Sequence, residues 1–296
     1  MAIPAPVKDL WTFWRDIEAK TMRAVDVALV AVPGPTRDAW RDALLLGSDH
    51  RERLKVVDPD DTRPVRADLA IVLLDLAAAP WRDSFRALDR FPRERIVAVI
   101  VGTGNAEPGR QREAIRALGV SETHVLPAGN LADLAGPLAA RLFGLFHDLI
   151  IPLARHFPVL RSTAAWEEIH ATAKQNAIVG VIPVPGGDMP IMTANQIKML
   201  LRMAAMFDMP LNGKRAREIV AVVGGGFGLR TLARQLVKVV PGPGWIVGGT
   251  LGYGGTLAMG RAALEYFRRT APGTGPVTVR AEDWPDKRDN GRGGDA

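Results

Sequence analysis

Between residues 25 and 126 the chain carries five short, nearly continuous apolar runs, at 25–32, 54–57, 68–74, 96–101 and 123–126. A strand with one wet face alternates polar and apolar side chains. A run that is apolar throughout belongs in a sheet covered on both faces, as in parallel sheets. Amphipathic segments at 38–46, 81–89, 110–118 and 131–143 separate the runs. Strand and helix in alternation predict a doubly wound parallel-sheet α/β domain over residues 24–146.

The loop after the first run is where such a sheet would take a phosphate. A phosphate loop needs Gly-x-x-x-x-Gly-Lys-Ser/Thr: amides to cradle the oxygens, a lysine to neutralise them, a hydroxyl for Mg²⁺. Residues 33–40 read Pro-Gly-Pro-Thr-Arg-Asp-Ala-Trp. One glycine stands where two are wanted, the lysine and the hydroxyl after it are missing, and two prolines remove amide donors. The Gly213-Lys214 pair is followed by Arg215 and reads as a helix start.

The remaining pieces resemble the Ras-like GTPase family. Residues 67–75 look like that family's fourth strand, and 54–58 like the strand that normally ends in Asp-x-x-Gly. Here Asp58 is followed by Pro59, Asp60 and Asp61, and Gly102-Thr103-Gly104-Asn105 stands where Asn-Lys-x-Asp would read guanine. The segment before Leu54 is too short for a full switch region. The resemblance implies a degenerate G domain with no GTP hydrolysis, no cofactor and no catalytic or metal residue. Gly34, Thr36 and Arg37 remain as the degenerate loop. Residual anion binding at the following helix N-terminus is one reading; Arg37 as a solvated loop residue is the other.

No other catalytic constellation rises above background in the sequence. Glu167 and His170 match half of a helical di-metal motif that needs a second copy and two further carboxylates. Ser48, Asp49 and His50 are adjacent, the wrong arrangement for a triad built across a fold. There is no cysteine, so disulfides and thiolate metal sites are excluded. The formal net charge is +6, which suits anionic lipid or an acidic partner. With two tyrosines and no recognised motif, nucleic acid is not expected. The opening lacks a basic-then-apolar secretion signal, and a cytoplasmic protein associated with the cytoplasmic membrane is the expectation. Residues 1–23 read as an amphipathic helix bearing Trp11 and Trp14, packed on the following domain or lying at a membrane interface.

Beyond a helical connector at 147–165 no strand pattern occurs. Helices are predicted at 166–183, 191–207, 214–240 and 244–269, followed by a Gly-, Pro- and Arg-rich tail at 271–296 expected to be disordered. Residues 241–260 carry no charge over about 20 residues, a length that spans a bilayer. Gly244, Gly248, Gly252, Thr256 and Gly260 recur every fourth residue, a stripe that lets another helix approach closely. Gly224 and Gly228 suggest a partner face on the preceding helix. The seven glycines from Gly242 to Gly255 lower hydrophobicity and helix propensity. An embedded or peripheral helix and a water-soluble bundle therefore both remain open. Met189, Met192, Met199, Met203, Met206 and Met209 cluster on one segment and read as adaptable core.

In order, Pro183-Val-Pro-Gly-Gly-Asp188, Asn195-Gln196-Ile-Lys-Met199, Gly228-Leu-Arg-Thr-Leu, Pro241-Gly-Pro-Gly244 and Thr256-Leu-Ala-Met-Gly260 resemble the bacterial domain of unknown function 697, the YcjF-like family. The resemblance covers residues 166–270. It implies an all-α glycine-rich helical bundle, membrane association, and frequent pairing with a GTPase domain. Its pattern positions are Asp188, Gln196, Met199, Thr256 and Gly260. Helix capping explains Asp188 and an interhelical hydrogen bond explains Gln196, with ligand or partner binding as the other reading.

Three functions follow as expectations. The first is a non-enzymatic membrane-associated scaffold or adaptor, with a membrane surface or inner membrane and a protein, such as a GTPase, as partners. The second is a nucleotide-responsive switch using the atypical loop at Gly34–Arg37. The third is a membrane homo-oligomer built through the glycine stripe.

Overall fold

The computed structural model describes residues 15, 17, 19, 23–75, 86–101, 113, 115–129, 131–181, 188–209 and 244–271. The chain divides into two compact units, Val25–Arg141 and Met1–Ala24 with Leu142–Thr274. The described residues before Val25 (Arg15, Ile17, Ala19, Arg23 and Ala24) thus group with the helical unit.

The α/β unit holds one parallel five-stranded sheet: β1 (Val27–Val30), β2 (Leu54–Val57), β3 (Leu69–Asp75), β4 (Ile96–Val101) and β5 (Val125–Gly129), in the order β2-β1-β3-β4-β5. Register runs Val27↔Leu54 and Val27↔Leu69 on the two sides of β1, and Ala70↔Ile96 between β3 and β4. β1 and β4 are buried along their whole length, which the absence of alternation predicts. Ala28, Val30, Val72, Leu74, Ala98 and Ile100 pack with Leu88, Phe91 and Leu118 on one face. Leu29, Ile71, Leu73, Val97 and Val99, pointing the other way, are also buried.

Helix α1 spans Pro35–Leu44. It starts three residues ahead of the expected 38–46, because Pro35 suits the first helical position and Gly34 the cap before it. Residues 86–90 form a 3₁₀ helix where the tail of an α-helix was expected. Helix α2 covers Leu131–Leu145.

In the helical unit the expected connector contains α3 (Ile150–His156) and a 3₁₀ turn leading directly into α4 (Arg161–Val181). Helix α4 begins five residues before the expected 166. Helices α5 (Asp188–Met206) and α6 (Gly244–Thr270) complete the described bundle. Asn176 meets Asn195 and Glu168 meets Arg202, so α4 and α5 run antiparallel. Gln196 meets Thr256 and Phe207 stacks on Phe267, so α5 and α6 run parallel. The helix expected at 214–240, with Gly224 and Gly228, lies outside the described residues, as does the tail. Met199, Met203, Met206 and Met209 are buried core.

Candidate functional site

Two places gather the residues singled out by sequence. The first is the carboxyl edge of the sheet at β1. Strand order reverses on either side of β1, and sheets of this order bind ligands at that point. Gly34, at φ 157° and ψ 175°, caps α1 without a side chain; this backbone region is close to glycine-only. A Cβ there would meet nothing within 4 Å, so conformation rather than space selects the glycine.

Thr36 and Arg37 fall in the first turn of α1, half-buried. The solvated-loop reading of Arg37 does not hold. Its side chain is 17% exposed and its Nη1 pairs with Asp58 Oδ1. The parallel register that sets Val30 beside Val57 brings the loop and Asp58 to one edge, and the Ala31 amide donates to the Val57 carbonyl at 3.2 Å. The cation of the degenerate loop is therefore neutralised by a carboxylate of the same chain. Trp40, fully buried, anchors the helix beneath it.

At the opposite edge, Asp26 accepts from Lys55 Nζ at 2.8 Å and Arg53 Nη1 at 3.3 Å. Partial burial pushes its carboxyl up, but these two cations outweigh burial and hold it below the usual range. This cluster ties β1 to β2.

The second place is a polar layer inside the helical unit. Thr256, fully buried, accepts from Asn176 Nδ2 and Gln196 Nε2, each at 2.9 Å, and donates to the Gly252 carbonyl at 2.7 Å. A hydroxyl offers one proton and two lone pairs; all are used. Asn195 Nδ2 donates to Asn176 Oδ1 at 2.9 Å. Gln196 and Thr256, singled out separately, are thus partners. Asn176, missed by the sequence reading, joins them. A poor helix former in the middle of a long helix was the available signal.

The glycine stripe lies against α4. A Cβ on Gly252 would stand 2.5 Å from the Asn176 carbonyl oxygen, and one on Gly260 2.6 Å from Ile169. Gly244 and Gly248 continue the helix, with surroundings outside the described residues. Asp188 opens α5, its side chain likewise outside them. Met199 is fully buried.

About two turns back along α4 from Asn176, Glu168 and Arg202 approach to 2.9 Å with both side chains nearly buried, and Arg202 Nη2 lies 3.0 Å from His147 Nε2. Burial drives the Glu168 carboxyl above its ordinary range against the pull of Arg202. His170 packs edge-on to Trp166, beside the Tyr253 hydroxyl at 3.3 Å. Arg261 covers the Trp166 ring at 5.2 Å. Among the described residues, no group of three acidic or histidine side chains is placed to hold a metal. No helix among them is long and apolar enough to cross a membrane.

Sequence comparison finds one partial likeness. The chain is 27% identical over 96 residues to magnetosome membrane protein 22 of Magnetospirillum gryphiswaldense, covering 29% of this chain and 49% of that protein. The match thus spans about half of that relative's length. No family model matches the chain, and no solved structure does.

Proposed function

We propose that this chain is a non-enzymatic scaffold or adaptor working at a membrane surface, with an α/β unit derived from a G domain and a YcjF-like helical unit. The observation that carries the non-enzymatic part is the Arg37–Asp58 pair. A nucleotide phosphate entering the β1 edge would have to displace that carboxylate, with no lysine to receive it and two prolines in place of amide donors. The strand order is compatible with a G domain stripped of its antiparallel edge strand. The partial likeness to a magnetosome membrane protein supports membrane association. The helix that the stripe meets, α4, carries Glu167, Glu168 and Lys174; such charges are costly within a bilayer and favour a peripheral protein over one crossing it through residues 241–260.

The test is direct. Purified full-length protein with Mg²⁺ and GTP, GDP or a non-hydrolysable analogue should show no turnover and no thermal stabilisation. Specific GTP turnover would remove the scaffold reading. In cell fractions the protein should pellet with membranes and be released by carbonate; resistance to carbonate would mean an embedded helix. One observation favours the nucleotide-switch alternative: the space beside Gly34 is open at the switch point. Nucleotide-induced stabilisation lost in Arg37→Ala would establish it.

A further inference from the structure

The described helices α4, α5 and α6 are polarised along their common direction. Because α4 runs antiparallel to α5 and α6, the end of α4 and the starts of α5 and α6 lie at one pole. In sequence, residues 175–197 carry one charge, Asp188, and residues 241–260 carry none. The other pole holds Arg155, Asp208, Arg261, Glu265, Arg268 and Arg269. Exposed large apolar side chains of the described helical unit occur only at the uncharged pole: Ile178 at 66%, Val181 at 43% and Ile191 at 52%. The Asn176 amide reaching the Met192 carbonyl at 3.4 Å shows that these two helix ends are neighbours.

We infer that this uncharged pole is the lipid-contacting surface, dipping Ile178, Val181 and Ile191 into the headgroup–acyl boundary of an anionic bilayer. The inference rests on the membrane reading above and assigns the contact within it. Lys174 lies four residues before Ile178 and Lys198 seven after Ile191. Helical rise places them about 6 Å and about 10 Å back from those side chains. Interfacial helices bury their apolar face by about 5–10 Å, so immersion of the pole sets both ammonium groups at the level of the lipid phosphates. A protein partner fits less well. Among the described residues, three exposed apolar side chains fall far short of the roughly 800 Å² per partner of a stable interface, whereas a bilayer needs only a few apolar groups and a basic collar.

Cysteine is absent from the chain, so Ile178→Cys, Ile191→Cys and, at the charged pole, Glu265→Cys can each carry one environment-sensitive fluorophore. Vesicles of phosphatidylglycerol and phosphatidylethanolamine in equal parts should blue-shift the probes at 178 and 191 and expose them to a bilayer-resident quencher. The probe at 265 should not respond. The variant Ile178→Asp/Ile191→Asp, both at exposed positions, should keep its melting curve and lose vesicle affinity by at least about thirtyfold. Lys174→Glu should weaken binding and flatten its salt dependence. If the wild-type protein binds vesicles while both probes stay aqueous, or the double variant binds equally well, the pole is not the contact and the membrane reading survives. Should the protein pellet with cell membranes yet ignore vesicles, a protein partner holds it there and the lipid contact falls. Failure of both assays removes the membrane reading itself.

Discussion

Thr256 shows how much one side chain decides. Replacing it by valine keeps the shape but leaves the Asn176 and Gln196 amides without their shared acceptor in a buried layer. Each stranded donor costs about 1–3 kcal/mol, so Thr256→Val should destabilise by about 3 kcal/mol in denaturant titration. Thr256→Ser, which keeps the hydroxyl, should cost about 1 kcal/mol. The Glu168–Arg202 pair behaves differently. Arg202→Met strands a buried carboxylate and should cost about 3 kcal/mol, whereas Glu168→Leu combined with Arg202→Met should recover most of that loss. A double variant as unstable as the single would mean that the pair's hydrogen-bonding surroundings, not its charges, set the energy. The sequence offered an interhelical hydrogen bond for Gln196 but not its acceptor, and the rest of this chemistry could not be read locally. Thr256 counts in sequence as one more small residue of a stripe; its partner Asn176 is 80 positions away.

Helix α6 supplies the test at the scale of an element. Gly252 and Gly254 are two residues apart on it, one pressed on α4 and the other open to solvent. Gly252→Ala should force the helices apart and cost about 1–3 kcal/mol. Gly254→Ala meets nothing and should stabilise by up to about 1 kcal/mol through helix propensity. Melting curves that move in the same direction for both would contradict the packing described. The four-residue spacing made a close helix contact legible from sequence, because only a packed helix needs a bare face. The identity of the contacting helix was not legible: α4 lies far away in the chain, and its own contact residues, Ile169 and Asn176, form no matching pattern. At the other end of the chain, strand positions were legible because burial on both faces leaves an unbroken apolar run. The start of α1 was misread because two prolines, Gly34 and the polar Thr36 and Arg37 look like a loop.

For the molecule as a whole, the acid limb of stability reports on the β1–β2 tie. The carboxyl of Asp26 is lowered in the folded chain from its ordinary 3.8. Its stabilising contribution is thus complete above that value and is lost as pH falls below it through the folded value. Asp26→Asn should cost about 1 kcal/mol near neutrality and should show a shallower loss of stability as pH falls below about 4. An unchanged acid limb would place the pH dependence elsewhere. The switch in periodicity after residue 146 is what suggested a change from strand-bearing to helical chain. What the sequence could not convey was that the connector at 147–165 folds into the helical unit, since its prolines, Pro152 and Pro158, read as breaks yet start or fit short helical turns. Function was the least legible level. The phosphate-loop residues that the loop after β1 lacks name no activity, and a positive role depends on surfaces that no motif marks.

A stripe of glycines at equal intervals has translational symmetry: slide α6 along α4 by one turn, about 6 Å, and a bare face still meets a bare face. Packing alone would leave several offsets of comparable energy, and one-turn slips are a common way for helices to switch. Thr256 is the one member that breaks this equivalence, because a slipped helix would present Gly252 or Gly260 to Asn176 and Gln196 and strand both amides. The bundle therefore works like a ruler with a single notch. Filling that notch with valine or blanking it with glycine should yield a helical unit that keeps its helices but populates more than one alignment, visible as doubled resonances for residues along α6.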